Sequence, residues 1–194
     1  VMRGQVAPRP IGILLGLTTT LAPFTTRPSF TELSRLPLME RCVALADPAR
    51  KAKILAEETG RGFARLYNLM DEGRKIWLMS DPPNYEPDPK DSLYAQAMQR
   101  GLDPWSYIYD VLLQNNGTNL LYTPFANYAE DNLDCCRDMI LHKDTVMGLG
   151  DGGAHVGTIC DASFITTLIT HWGRDRTRGE GIDLPTLIKC QTQD

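Results

Sequence analysis

The sequence predicts an α/β fold, and three observations carry that prediction. Short apolar runs with strand character stand at Val6 to Leu17, Lys75 to Met79 and Thr145 to Leu149. The long stretches between them are punctuated by helix-capping dipeptides such as Asp47-Pro48 and Asp103-Pro104. The order is strand, long helical stretch, strand, helix, without internal repeat or low-complexity tract.

Taking the elements in turn, Gln5-Val6-Ala7-Pro8-Arg9-Pro10 followed by Ile11 to Leu17 reads as a strand with an irregular rim, because its two prolines limit regular pairing. Residues 18–44 carry Thr, Pro and Phe without clear periodicity and read as loop with short helical turns. Asp47-Pro48 opens a helix that Gly60-Arg61-Gly62 closes. Lys75 to Met79 is a short strand stopped by Asp81-Pro82-Pro83. Asp91 opens a helix closed by Gly101, and Asp103-Pro104 opens another closed by Gly117. Asn127 with Glu130 three residues on has the form of a capping box, for a helix running to about His142 with Leu133, Cys136 and Ile140 on one face. Thr145 to Leu149 reads as a buried strand. From Ser163 a further helix puts Ile165, Leu168, Ile169 and Trp172 at amphipathic spacing. Another helical pattern begins before Thr192-Gln193-Asp194.

Bulk properties narrow the function classes. The 194 residues are 42% hydrophobic, 23% charged and 8% aromatic, which excludes disorder, collagen and coiled coil. With 20 Lys and Arg against 24 Asp and Glu the formal charge is −4, and the densest basic stretch, Arg174 to Arg178, is interrupted by Asp175. No nucleic-acid partner is expected from such a chain. The longest apolar run, Ile11 to Leu17, is too short to span a membrane. Five cysteines, two of them adjacent (Cys135 and Cys136), do not suit a disulfide framework. Reduced thiols and a cytoplasmic location are the expectation. The chain opens on Val1 instead of Met, already inside a strand-like apolar run, and its last residues lie in an uncapped helical pattern, so it reads as a piece of a larger protein.

The segment richest in possible chemistry is Gly148-Leu149-Gly150-Asp151-Gly152-Gly153-Ala154-His155, directly after an apolar strand. Glycines allow sharp turns and close approach of a ligand to the backbone. Several readings are open on spacing alone. Gly148, Gly150 and Gly153 satisfy the G-x-G-x-x-G pattern of a dinucleotide-binding oxidoreductase, and Asp175 stands about where a ribose-binding acid belongs. Against it, Asp151 would set a negative charge in the phosphate turn, and no helix follows at once. A non-enzymatic module binding a small ligand through the glycine loop is a second possibility. A third is a metal or general-base site at the C-terminal end of a barrel strand, with Asp151 activating water and His155 nearby. In the plainest reading, Asp151 caps a turn and His155 is a satisfied, partly buried histidine.

The run from Gly148 to Ser163 resembles the last-strand motif of the N-acyl-D-amino-acid deacylases (D-aminoacylases) of the amidohydrolase superfamily. Gln5 to Gly12, Ser80-Asp81-Pro82-Pro83-Asn84-Tyr85-Glu86-Pro87, residues 127–134 and the tail from Leu184-Pro185 to Thr192 are similar to that family as well. The resemblance implies the C-terminal portion of a (β/α)₈ TIM-type barrel. Its penultimate strand and rim would occupy 1–17, a largely helical insertion 18–142, and the last strand, catalytic loop and following helices 143–194. It implies hydrolysis of the amide bond of N-acyl-D-amino acids or related amides by a zinc-activated water. Asp151 would act as metal-site acid and general base, and His155 would support or contact the substrate.

Two departures stand out. Gly150 occupies the place of the family's usual Ser. Cys160-Asp161-Ala162 stands where the family carries a carboxylate-gripping arginine, which leaves Arg9 as a candidate cation or as a loop arginine in an ion pair. With three histidines (His142, His155, His171) and no His-x-His, the chain holds few of the zinc ligands the family uses. The isolated chain is therefore expected to bind zinc poorly and to lack activity. Its partners would be the small-molecule substrate and, through open barrel edges, further copies of itself.

Overall fold

The structure is a computed structural model, and it describes residues 2–58, 70–148, 150, 152–153, 155–159 and 161–193. The fold is mixed α/β, as the sequence predicts, with small sheets and predominantly helical connections. It divides into two compact units: Val1–Gly12 together with Pro124–Asp194, and Ile13–Thr123. The intervening unit therefore begins and ends within β-structure, and it carries strands as well as the helices expected of residues 18–142.

The unit from Ile13 to Thr123 is organised around a sheet in the order β2 (Ile11–Leu15), β4 (Leu121–Ala126), β3 (Trp77–Leu78), of which β3 and β4 are antiparallel. Its core gathers Leu15, Phe24, Leu45, Ile54, Ile76, Ile108, Leu112 and Leu121. Phe24 is the aromatic hub, 5.3 Å from the ring of Tyr109 and 5.9 Å from those of Phe30 and Trp105. The Tyr109 hydroxyl donates to the Leu45 carbonyl at 2.8 Å, so the one polar atom of this buried ring is satisfied. Burial raises the Tyr109 phenol above its ordinary range, and the hydroxyl stays a donor.

Helices of this unit start where capping chemistry predicts. Asp47 accepts from the Ala49 amide at 3.1 Å ahead of α3 (Pro48–Ala56), and Asp103 from Ser106 at 2.7 Å ahead of α5 (Pro104–Gly117). Elsewhere the punctuation differs. The helix expected to open at Asp91 is α4 (Leu93–Gln99), capped by Ser92, because Asp88 and Pro89 first form a short 3₁₀ turn. In α5 the regular helix gives way before Gly117, since Asn115 and Asn116 adopt left-handed φ values of 51° and 56°. Within 18–44, the aperiodic stretch folds as α1 (Pro28–Thr31) and α2 (Leu38–Leu45). The expected stop at Gly60 to Gly62 lies outside the described residues, and α3 ends at Ala56. β4 was not foreseen: it follows α5 after only a few residues and has Pro124 in its middle.

The other unit contains a parallel pair, β1 (Gly4–Val6) and β5 (Thr145–Met147), in the register Gly4↔Thr145, Gln5↔Val146, Val6↔Met147. Parallel neighbours need a crossover, and here the whole of 7–144 intervenes. Three helices accompany the pair: α6 (Asp134–Leu141), α7 (Phe164–Thr170) and α8 (Leu184–Thr192). Val6, Leu133, Cys136, Ile140, Phe164, Leu168, Trp172 and Leu187 are buried.

Two helical expectations are corrected in this unit. Asn127 does not cap a helix: its φ is 61°, its carbonyl accepts from the Cys136 thiol at 3.6 Å, and α6 starts later with Leu133 ahead of it. The local turn at Asn127 wins over the capping-box pattern because Asn tolerates the left-handed region. Of the stripe expected in α7, Leu168 and Trp172 are buried and Ile169 is half-buried, but Ile165 is 54% exposed, and Phe164 and Thr167 are buried in addition. Phe164 supplies the large inward ring, so the helix turns its face towards it. After Thr170 the chain widens into a π turn over His171–Asp175 that brings Trp172 inward.

Candidate functional site

The in-register pairing of Val6 with Met147 sets the geometry of the candidate site. Because β1 and β5 run parallel, the segment Ala7-Pro8-Arg9 and the glycine-rich segment from Gly148 leave the same, C-terminal end of the pair. In parallel α/β architectures that end is where ligands meet loops. The segment that carries Arg9 and the segment that opens with Gly148, far apart in the chain, thus leave neighbouring strand tips.

Each strand exit is fixed by identifiable contacts. The Gly148 amide donates to the Val6 carbonyl at 3.1 Å, which extends the ladder one step past β5. A side chain at Gly148 would overlap the exposed side chain of Gln5 on β1 and push it aside. Gly150 and Gly153 have open space where a Cβ would lie. On the β1 side, the Pro8 carbonyl accepts from the Trp172 indole at 2.6 Å, and the Ala7 carbonyl from the Asn127 side-chain amide at 3.5 Å.

Arg9 follows immediately and is only 2% exposed. Its guanidinium lies 4.5 Å from the centroid of the Phe164 ring, a cation–π contact made possible by the inward turn of α7. A buried guanidinium keeps its charge, so the strand tip holds a fixed positive charge against an aromatic wall. Sequence reading found the charge; the burial and the Phe164 contact came only with the structure.

The histidines are placed individually. His155 is exposed in a turn, with a left-handed φ of 53°, and its carbonyl accepts from the Thr158 and Ile159 amides at 2.8 Å each. It is not the partly buried histidine of the plainest reading. His142 follows α6, where its Nδ1 accepts from the Asp144 amide at 3.2 Å and closes its own turn. His171 stands edge-on to Trp172 at 5.5 Å. Asp151 and Cys160 lie outside the described residues. Among the described residues no three His, Cys, Asp or Glu side chains converge on a point where a metal ion would fit.

Among the described residues the dinucleotide pattern finds no helix where it needs one. After Gly153 the first helix is α7 at Phe164, too far on for its N-terminus to receive a pyrophosphate held by that turn.

An arginine-rich cluster went unread in the sequence. Arg176 is buried, and its guanidinium donates to Asp134 Oδ1 and to the Glu180 carbonyl, both at 2.6 Å, while lying 4.7 Å from the Trp172 ring centroid. Arg178 donates to the Tyr128 hydroxyl at 2.9 Å, and Arg137 pairs with Glu180 at 2.8 Å. The basic stretch Arg174 to Arg178 is therefore the clasp that holds the segment after α7 to the start of α6. The interruption by Asp175 hid it, since Asp175 turns outward to pair with Arg174 at 2.5 Å. The described cysteines, Cys42, Cys135, Cys136 and Cys190, are all unbridged, and no helix among the described residues is long and apolar enough to cross a membrane.

No family model, no curated protein and no solved structure matches this chain.

Proposed function

We propose that this chain is part of a metal-dependent amidohydrolase of the D-aminoacylase type, acting on the amide bond of N-acyl-D-amino acids or related linear amides. The observation that best supports the reading is the parallel register of Val6 with Met147, which directs Arg9 and the Gly148-to-His155 motif from one end of a strand pair. Strand tips of that kind carry the chemistry of parallel barrels, and the motif resembles the last-strand motif of the family.

In this reading Asp151 takes a proton from the attacking water and returns it to the departing amine, the work of a general base that becomes a general acid. Arg9, buried against Phe164, contributes the positive charge at the strand tip that attracts the substrate carboxylate, and His155, exposed in the glycine-rich loop, contacts the acyl group or the amide. The described residues do not form a zinc site by themselves. Zinc belongs to the reading through the resemblance, with most of its ligands on other parts of the parent protein. The same reading gives a cytoplasmic protein with reduced thiols, in which the open edges of the β1–β5 pair favour association.

The test is hydrolysis of N-acetyl-D-methionine, followed by amine release, in the full gene product that contains this chain. Turnover that requires zinc and prefers the D over the L substrate supports the reading. A gene product without a His-x-His strand and without such turnover overturns it. A small-ligand module without catalysis would then be the remaining reading.

A further inference from the structure

Beyond the candidate site, the unit containing β1 and β5 holds a cavity of about 350 Å³. That volume lies within the range of small-molecule sites. Its apolar wall is made by Ile140 at the end of α6 and by Val146 and Met147 on β5. Its polar wall is made by Lys143, just before β5, and by Thr186 and Lys189 on α8. None of the lining residues is acidic, and none belongs to the glycine-rich loop.

The charge pattern identifies a ligand class. Two ammonium groups and the hydroxyls of Thr145 and Thr186, beside the His142 imidazole, over an aliphatic floor favour an anion with an apolar body, whereas a cation meets like charge. Lys143 pairs with Asp144 at 2.6 Å, but that pair is exposed, and such pairs are weak enough for another carboxylate to compete. We propose that this cavity binds a small organic carboxylate with an aliphatic tail, the carboxylate between Lys143 and Lys189 and the tail over Val146 and Met147. This site is separate from the candidate active site and does not depend on the amidohydrolase reading.

Cys190, half-buried in the cavity wall, provides a reporter, and exposed Cys135 an internal control. The experiment measures alkylation of each cysteine by iodoacetamide in the purified chain, resolved by peptide mass spectrometry, while hexanoate is titrated. Hexanoate is expected to slow Cys190 saturably and leave Cys135 unchanged, and hexylammonium to protect far less. The double variant Lys143→Gln, Lys189→Gln should weaken hexanoate protection about fivefold, the combined effect of two exposed charge contacts. Equilibrium dialysis of labelled hexanoate reads the same binding without the thiol, and decides the matter if Cys190 proves unreactive. Absence of saturable binding by dialysis overturns the proposal, as does equal protection by hexylammonium or full affinity in the double variant.

Discussion

The indole N–H of Trp172 donates to the Pro8 carbonyl at 2.6 Å, tying the π turn after α7 to the segment that leads out of β1. Pro8 has no amide hydrogen of its own to anchor it in a ladder, so this bond fixes the strand exit where the prolines leave the sheet unable to. One residue further on, Arg9 lies against Phe164. The same helical segment thus positions both the backbone and the charge of the β1 tip.

The first consequence is for stability. Trp172→Phe keeps most of the ring volume but leaves the buried Pro8 carbonyl without its donor, and a destabilisation of about 1–3 kcal/mol is expected. Trp172→Ala adds a cavity and should cost about 3–5 kcal/mol. Urea unfolding followed by far-ultraviolet dichroism measures both, and equal stability of Trp172→Phe and the parent chain would deny the bond its role.

Gly181 meets the same tryptophan from the other side. A Cβ there would stand 2.7 Å from the Trp172 carbonyl oxygen, a backbone atom that also accepts from the Ile182 amide at 2.8 Å. Gly181→Ala should therefore destabilise by about 1–3 kcal/mol, as overpacking does. Gly101→Ala tests strain without crowding, because that glycine has a φ of 67° and open space around it. Thermal melts of the two variants should separate them, with Gly181→Ala the lower.

In the unit Ile13–Thr123, Ser29 donates its hydroxyl to Glu57 Oε1 at 2.5 Å and its amide to Oε2 at 3.0 Å. The side-chain hydrogen bond from Ser29 is the main cause that lowers the Glu57 carboxyl below its ordinary value. A carboxyl with a lowered folded-state pKa contributes stability above its unfolded pKa and loses it as the pH falls through the folded value. Ser29→Ala should lower stability at neutral pH and reduce the loss between neutral and acid conditions. Denaturant midpoints across that range check the prediction; a parallel offset at every pH would contradict it.

Arg9 gives a prediction at the candidate site. If its guanidinium faces a substrate carboxylate, Arg9→Gln in the full gene product raises KM for an N-acyl-D-amino acid by about 10–100-fold, the loss expected on removing one charge-assisted contact. The matching amide without the carboxylate should be hydrolysed by parent and variant with the same KM. A KM that rises equally for both substrates would assign Arg9 to structure alone.

Much of this architecture was legible in the residues. Asp47 and Asp103 before prolines announced helix starts because capping is a local interaction, settled within three residues. The strand at Thr145 was readable from its apolar run, although its residues are half-buried rather than buried, and the long excursion before it from the distance between strand candidates. What escaped reading depended on contacts distant in sequence. Asn127 carried the local form of a capping box, but its tolerance of a left-handed φ and its side-chain contact with Ala7, far away in the chain, decided otherwise. Ile165 fitted the amphipathic spacing of α7, yet Phe164, packed on Arg9, set which face turned inward. Arg176 looked like surface charge until Asp134 and Trp172 folded around it. At the candidate site the motif was legible and its surroundings were not, because the neighbouring strand tip comes from the other end of the chain.

The most direct test of the functional account is the Asp151→Asn substitution in the zinc-loaded full gene product, assayed for kcat on N-acetyl-D-methionine. The account predicts a fall in kcat of about 10²–10⁴-fold, the size of a general-base contribution, with bound zinc measured by metal analysis reported alongside. Activity undiminished by Asp151→Asn would contradict the assignment of the proton-transfer role to this loop.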